Sequence, residues 1–380
     1  MGRFTVFLAA IALTACEFPT SQKTEKAPEP PPFVVRLDPP PRRAPPPRQS
    51  VANRLQRPQS TTVVKAAKNS LADLVGASKL DFSPDGAQLV TLGPEAKLQL
   101  WDAETSELER ILSVRGEPIA VRMVEGNRLI VLCRDRVVVL DTVAGRKLHE
   151  IAPLGAKQFI CESIGATYHG EYVVFAVDHS VGLLNLQSGT TEIYEYGNFT
   201  LFLRCSPQQL VAILSKTITP PQRGTIKATD EDVGLDRMDL LTGKVDAGVY
   251  QPSKDHPWSP ASVAFSRDGR QVFISTYAGP VVVTAANWQV ERTIEPAEPD
   301  EFYLYSKLVV SDDGTLVAGI PVHLGDERPP GPPEFAVGEA TSMTPLPATA
   351  AADIAISATG RVAVAQKDGP VKLIEPTTDR

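Results

Sequence analysis

The chain contains 380 residues and carries a net charge of −7, with 42% hydrophobic residues. Residues 1–60 hold nine Lys and Arg against four Asp and Glu, a charge of +5, so the remainder carries −12. Nucleic acid needs concentrated positive charge to neutralise its phosphates, and the acidic remainder therefore argues against it as a partner.

The amino terminus has the pattern of an exported protein. Arg3 precedes an apolar stretch, Phe4–Leu13, that is too short to span a bilayer as a helix. The residues Leu13–Cys16 read LTAC and resemble the lipobox of bacterial lipoproteins, which implies a signal peptide at 1–15 and lipid attachment to Cys16. An ordinary signal peptide with an incidental cysteine is the alternative. Glu17 differs from the Asp of an inner-membrane retention signal, so we expect a cell-envelope protein anchored in the outer membrane and facing the periplasm.

Residues 16–60 are predicted to form a disordered, Pro- and Arg-rich tether. Ten prolines lie among residues 28–47, and such a segment favours extended polyproline conformations at about 3.1 Å per residue. The tether is basic, so contact with anionic lipid headgroups or cell-wall polymer is an alternative to a solvated spacer. A ligand for a proline-recognition domain is a further alternative.

From residue 76 onward, the chain repeats about every 45 residues, which gives seven cycles. Two turn landmarks recur in the same order, built from residues that favour tight turns. The first lies at Ser83–Gly86, Glu125–Asn127, His169–Gly170, Ser206–Gln209, Ser266–Gly269, Ser311–Gly314 and Ser357–Gly360. The second pairs Asp or Asn with Gly or Ser four residues later, at Asp102 and Ser106, Asp141 and Gly145, Asn185 and Gly189, and Asp239 and Gly243.

Between the turns lie short apolar or alternating runs, such as Val137–Leu140, that predict β-strands. Four short strands per cycle are typical of a propeller blade. The repeats resemble degenerate WD40 repeats, with Trp101-Asp102 as the Trp-Asp pair and Leu140-Asp141 and Met238-Asp239 in its place later. This resemblance implies an all-β, seven-bladed propeller over residues 61–380, and six or eight blades are the alternatives.

The last cycle is predicted to lack its fourth strand. Its strands are expected near 353–357, 361–365 and 370–375, after which the chain ends. An open ring would expose unpaired strand edges. We therefore expect the β-like run Thr61–Ala66 to complete the seventh blade as a latch strand.

Three cysteines remain besides Cys16. Cys133, Cys161 and Cys205 lie in or beside apolar runs, without the paired spacing of a metal site. We expect buried free thiols, and one disulfide plus one thiol is the alternative in an oxidising envelope.

The chain is not expected to be an enzyme, and no cofactor or metal site is predicted. Its five histidines are scattered, and neither a helical zinc pair nor a Gly-x-Ser-x-Gly elbow occurs. The expected inner strands are apolar and predict packing, at Ile119–Val121, Val263–Phe265, Leu308–Val310 and Ile354–Ile356. The alternative is a metal-dependent enzyme or small-ligand binder that uses the channel mouth.

The long connections are expected to share one face of the ring. Residues 215–234 and 321–334 link strands two and three of blades four and six, and 251–260 and 295–303 link successive blades. Acidic and aromatic loops on a rigid scaffold favour a protein-binding or scaffolding role, with an envelope protein as the partner. Neutral loop drift and a purely structural role are the alternatives. The candidate partner-binding residues are Asp230, Glu231, Asp232, His256, Trp258, Glu298, Asp300, Phe302, Tyr303 and His323.

Overall fold

The structure, a computed structural model, describes residues 70–375 except 152–163, 167–170, 178–179, 197–198, 206–209, 218–233, 251–259, 277, 298–302, 324–331, 339 and 349. The predicted signal peptide, Cys16, the tether and the predicted latch 61–66 lie outside this part. The described residues form 27 β-strands and two single-turn 3₁₀ helices, with no α-helix. No helix in this part of the chain is long and apolar enough to cross a membrane.

The strands form seven antiparallel sheets, each paired in sequence order, which are the blades. Blade 1 contains β1 (Lys79–Phe82), β2 (Gln88–Leu92), β3 (Leu98–Asp102) and β4 (Leu108–Leu112). Blade 2 contains β5 (Pro118–Val124), β6 (Arg128–Cys133), β7 (Arg136–Asp141) and β8 (Arg146–Ile151). Blade 3 contains β9 (Ile164–Ala166), β10 (Tyr172–Val177), β11 (Ser180–Asn185) and β12 (Thr191–Glu195). Blade 4 contains β13 (Phe199–Cys205), β14 (Val211–Thr217), β15 (Gly234–Asp239) and β16 (Val245–Tyr250).

The remaining blades follow the same order. Blade 5 contains β17 (Val263–Phe265), β18 (Gln271–Thr276), β19 (Gly279–Thr284) and β20 (Val290–Thr293). Blade 6 contains β21 (Tyr303–Val310), β22 (Leu316–His323), β23 (Glu334–Val337) and β24 (Thr344–Pro345). Blade 7 contains β25 (Ala351–Ile356), β26 (Val362–Gln366) and β27 (Val371–Ile374). The predicted all-β, seven-bladed propeller is confirmed.

Sequence pattern and strand position agree within the blades. Middle strands are covered on both faces by the neighbouring blades, so β7, with sequence RVVVLD, is buried at its four central residues. Outer strands face solvent, and β12, with sequence TEIYE, has no buried residue. Burial of the middle strands therefore accounts for the apolar runs.

Seven apolar clusters, one between each pair of neighbouring blades, hold the described ring together. Between blades 7 and 1, large residues of blade 1 pack on alanines of blade 7, and the indole of fully buried Trp101 donates from Nε1 to Thr91 Oγ1 at 3.0 Å. Because this seventh cluster joins the last blade to the first, the packing closes a circle.

The predicted turn landmarks are both hairpin turns held by side chains. At the first landmark, the Ser83 hydroxyl donates to Asp85 Oδ1 at 2.6 Å and accepts from Gln88 N at 2.8 Å. The same Ser–Asp bond recurs at Ser266 and Ser311. At the second landmark, Asp102 Oδ1 accepts the two following backbone N–H groups at 2.9 and 2.7 Å. Equivalent bonds recur at Asp141, Asn185 and Asp239.

Because neighbouring strands are antiparallel, their connections alternate between two faces of the ring. The turns between strands 1 and 2 and between strands 3 and 4 lie on one face, named here the short-turn face. The connections between strands 2 and 3 and between successive blades lie on the other, named the long-connection face. Both turn landmarks therefore belong to the short-turn face.

Blade 7 has three strands among the described residues, close to the predicted positions. Its outer edge is met by residues 70–75, named here the strap. Val75 forms an antiparallel bridge with Pro370, and Val371 N donates to Leu74 O at 3.1 Å. At its other end, Leu71 N donates to Ser106 O of blade 1 at 3.0 Å. The strap thus joins blades 7 and 1, while the latch 61–66 stays a prediction.

Candidate functional site

The strand order puts the four long connections in the slots that the sequence predicts. Residues 218–233 join β14 to β15 and residues 324–333 join β22 to β23, which are connections between strands 2 and 3. Residues 251–262 and 294–302 join blade 4 to blade 5 and blade 5 to blade 6. The strand ends that flank all four segments therefore lie on the long-connection face.

Most of the predicted partner-binding residues lie outside the described residues. These are Asp230, Glu231, Asp232, His256, Trp258, Glu298, Asp300 and Phe302. The two others, Tyr303 and His323, are described by their backbone and are Cα partners at the start of β21 and the end of β22.

This pairing corrects the predicted boundary of the blade 6 connection. The sequence interpretation placed Pro321 and His323 in a loop from 321 to 334, whereas β22 continues to His323. Pro321 lacks an N–H but sits opposite Tyr305, next to the register shift between Tyr305 and Lys307. A proline is tolerated at such an irregularity, so the strand extends past it and brings Tyr303 and His323 together.

Glu295 starts the predicted link between blades 5 and 6, and the structure pairs its backbone with blade 6. Glu295 N donates to Thr341 O, and Met343 N donates to Glu295 O, both at 2.7 Å. The link thus begins along the outer edge of blade 6, and the free part of this connection is shorter than 295–303.

The inner strands carry charged residues that the sequence interpretation missed when it read them as packing strands. Asp353 in β25 is 3% exposed and accepts two hydrogen bonds. One comes from Lys307 Nζ of blade 6 at 2.6 Å, and the other from Leu80 N of blade 1 at 2.7 Å. A single carboxylate therefore connects blade 7 to both of its neighbours.

Asp81 in β1 makes the equivalent connection from blade 1 to blade 2. Its carboxylate accepts Met123 N at 2.6 Å and Arg122 Nη1 at 3.3 Å. Burial raises the pKa of Asp81, and the charges of Arg122 and Lys307 oppose that rise. The charged groups of the inner strands thus extend across three successive interfaces, from blade 6 to blade 2.

A sequence signal for Asp353 and Lys307, though not for Asp81, exists in the repeat itself. Ser262, Lys307 and Asp353 each lie four residues before the first-landmark serine of their blade. The Ser262 hydroxyl accepts Leu308 N of the next blade at 3.0 Å, as Asp353 accepts Leu80 N. A polar residue at this position therefore marks contact with the next blade, through its backbone at Ser262 and Asp353 and through the Asp353 carboxylate at Lys307.

The buried carboxylates of the inner strands have a structural role, because they hydrogen-bond to neighbouring blades. Among the described residues, no three side chains of His, Cys, Asp or Glu lie close enough to hold a metal ion. The carboxylate oxygens of Asp81 and Asp353 accept hydrogen bonds from backbone N–H groups and from the cations beside them. Their arrangement joins blades, and it leaves the Arg122 side chain 53% exposed.

The short-turn face holds a depression of about 660 Å³ that is lined mainly by residues of blades 1 and 2, and also by Arg267 of blade 5 and Ala358 of blade 7. Its carboxylates include Asp85 and Asp102. Hydrogen bonds from Ser83 and Ala87 lower the pKa of Asp85, and the Thr105 N–H lowers the pKa of Asp102. These carboxylates stay ionised at neutral pH and close their own turns.

Cys133 is a fully buried free thiol in the cluster between blades 1 and 2, as expected. Burial and the nearby Asp135 raise its pKa to about 12, so it stays protonated and unreactive at neutral pH. Cys161 and the side chain of Cys205 lie outside the described residues, so their state stays a prediction.

No family model and no curated protein matches this sequence. Among solved structures, the chain is similar to hydrazine synthase from Kuenenia stuttgartiensis, with a TM-score of 0.60 and 14% identity. The similarity covers 83% of this chain and 98% of that one. At 14% identity, this likeness supports the propeller fold alone.

Proposed function

We propose that this chain is a lipid-anchored protein of the bacterial cell envelope whose propeller binds or scaffolds a protein partner without catalysing a reaction. The partner-binding surface is the long-connection face over blades 4 to 6. Acidic and aromatic residues in its connections supply the contacts, with Trp258, Phe302 and Tyr303 as the aromatic anchors.

The observation that carries this proposal is the difference between the two faces. On the short-turn face, nearly the same turn recurs from blade to blade, and its polar side chains bond within the turn. On the long-connection face, the segments between strands 2 and 3 range from a two-residue turn after β6 to 16 residues after β14. Length variation confined to one face of a rigid ring is typical of a recognition surface.

The rigidity of the ring supports binding. Each blade interface has its own apolar cluster, and the inner strands are tied by Asp81, Ser262 and Asp353. Loops held at fixed ends lose less conformational freedom on binding than free segments do. The carboxylates Asp81 and Asp353 are occupied by these hydrogen bonds between blades. This supports a binding role over a catalytic role for carboxylates in the channel.

The amino terminus supplies the location in this proposal. Lipid on Cys16 holds the protein at the membrane, and the Pro-rich tether lets the ring reach a partner nearby. Confinement of both proteins to one surface raises their effective concentration without any new contact. Replacing Cys16 with Ser should move the protein from the membrane fraction to the soluble fraction, and an unchanged membrane fraction would exclude the lipid anchor.

Charge reversal tests the binding face. In the full-length protein in its native cell, Asp230, Glu231 and Asp232 are changed together to Lys, and co-purified proteins are quantified by mass spectrometry. We expect recovery of the specific partner to fall tenfold or more. A partner that binds this acidic segment presents positive charge, and like charges across an interface repel.

A control variant carries the same charge change on the opposite side of the ring. Glu104, Glu171 and Glu192 are near the short-turn face and lie at or next to its turns. Their change to Lys should leave partner recovery unchanged. Equal recovery with both triple variants would reject the long-connection face as the binding surface.

A further inference from the structure

The strap lies along the outer edge of blade 7, beside β27, but its described residues make far fewer backbone bonds with that edge than the outer strands of other blades make with theirs. In blade 2, β8 pairs with β7 over five residue pairs, and in blade 3, β12 pairs with β11 over five. The described contact of the strap with blade 7 is one bridge and one hydrogen bond, Val371 N to Leu74 O. Its hold on blade 7 therefore depends mainly on side chains.

Leu71 is the side chain that anchors the strap. It is 1% exposed and belongs to the cluster between blades 7 and 1, with Trp101 and Val371. The 3₁₀ turn Leu71–Asp73, capped by Ser70 Oγ at 3.4 Å from Ala72 N, directs Leu71 into this cluster. Removing Leu71 would leave a cavity at the interface that closes the ring.

The strap lies next to a second, inner connection of the same two blades. On the channel side, Asp353 accepts Leu80 N and the Lys307 ammonium. On the outer side, the strap bridges Ser106 of blade 1 and Val371 of blade 7. The seam between blades 7 and 1 is thus closed by a buried carboxylate inside and a short apolar segment outside.

The direction of the chain links the strap to whatever precedes it. Ser70 and Leu71 lie beside Ser106 on the short-turn face, and the chain runs from there along blade 7 to Val75. Any load on residues before Ser70 first reaches the contacts of Ser70 and Leu71 with blade 1, which are the antiparallel bridge between Ser70 and Glu107 and the bond from Leu71 N to Ser106 O. The bond between Leu74 and Val371 lies at the far end of the strap.

We propose that the strap is a release element: seated, it closes the seam between blades 7 and 1, and load on the preceding segment unseats it and loosens blade 7. Closure by the strap does not depend on the proposed function. The source of the load in the cell does depend on the proposed function, because that source is the lipid anchor at Cys16. Partner binding on the long-connection face and tension on the tether would then act at different parts of the same ring.

Hydrogen exchange of the full-length protein tests closure. Leu71→Ala should speed exchange of amides in β25 and β27 on the order of 100-fold, with blades 3 to 5 unchanged. The matched control is Leu186→Ala, which removes a residue that is 4% exposed from the cluster between blades 2 and 3. It should speed exchange in blades 2 and 3 and leave β27 unchanged. The proposal is overturned if Leu71→Ala speeds exchange equally in all blades, or if it does not speed exchange in β25 and β27.

Single-molecule pulling tests release without any change to the core. One handle is attached at the amino terminus and the other at Ala286→Cys, an exposed turn residue of blade 5. We expect an early low-force extension of up to about 20 Å as six residues leave the ring. Pulling between Glu171→Cys and Ala286→Cys should lack this early event. An amino-terminal pull with no early extension overturns load-dependent release, whether or not the protein is lipidated or binds a partner.

Discussion

The two faces of this propeller are built from the same strands but differ in what connects them. On the short-turn face, the serine and aspartate of the first landmark bond to each other and to the next strand in blades 1, 5 and 6, as at Ser311 and Asp313. On the long-connection face, connections of two residues and of 16 residues follow equivalent strands. One face is therefore part of the scaffold, and the other is free to vary in length and to acquire contacts.

Substitutions in the inner strands, on which both faces depend, should destabilise the ring most. Asp353→Ala should lower the free energy of unfolding by about 3 kcal/mol, because Leu80 N and the partly buried Lys307 lose their acceptor. Urea denaturation measures this loss. Asp353→Asn, which keeps an acceptor for Leu80 N, should lose less. Equal losses for both variants would mean that the backbone bond contributes nothing.

An insertion separates the two faces directly. Three residues, Gly-Ser-Gly, placed after Gly314 should cost about 2 kcal/mol, since Leu316 N would lose the Ser311 hydroxyl and Thr315 N would lose Asp313 Oδ1. The same insertion after Ala228, in the long segment between β14 and β15, should change stability by less than about 0.5 kcal/mol. Thermal melts of the two variants provide the comparison, and similar losses would remove the distinction between the faces.

Acid should weaken the short-turn face. Hydrogen bonds lower the pKa of Asp85, Asp102 and Asp313, so the folded state binds a proton less readily than the unfolded chain does. Their stabilisation is complete above the unfolded pKa of about 3.9 and is lost as the pH falls through their lower folded pKa. Asp81, with a raised pKa, contributes with the opposite sign.

A variant isolates this pH effect. Asp268→Asn combined with Asp313→Asn should lower the melting temperature at pH 7, and the difference from the original protein should shrink as the pH falls below about 4. A difference that stays constant down to pH 2.5 would show that the charge of these two carboxylates is unimportant.

The smallest expected effect is stabilising. Ser106 has φ of 59°, at a position where the equivalent residues Gly145, Gly189 and Gly243 have φ of 65°, 71° and 70°. Ser106→Gly should therefore raise stability by about 0.5 kcal/mol, because a side chain is strained in this conformation. The same change at Ser188, whose φ is not positive, should not stabilise. Differential scanning calorimetry detects the shift.

The repeated features of this fold were predictable from the sequence, and the unrepeated ones were not. The turn residues recur at a fixed spacing, so they mark blade 7 strands near their observed positions, 351–356, 362–366 and 371–374. Asp353 shares its repeat position with Ser262 and Lys307, and Asp81 has no such counterpart. The groups that both carboxylates bind depend on how neighbouring blades align, which one blade's sequence does not contain. The strap is six residues long and bonds to distant segments, so no local pattern marks it.

The predicted site shows the same limit. Strand order alone places the long connections on one face, because antiparallel strands alternate direction. The pairing of Tyr303 with His323 depends on a register shift beside Pro321, which local propensity does not reveal. Which side chains on that face meet depends on contacts between segments far apart in the chain.

Site-specific photo-crosslinking in intact cells shows which face of the ring contacts the partner. A photoreactive residue replaces Trp258 or Phe302, in two of the long connections, and Glu104 or Gln187, at turns of the short-turn face. We expect one discrete crosslinked protein from the first pair, absent when Asp230, Glu231 and Asp232 are changed to Lys, and none from the second pair. The same crosslinked protein from both faces, or from the short-turn face alone, would contradict this expectation.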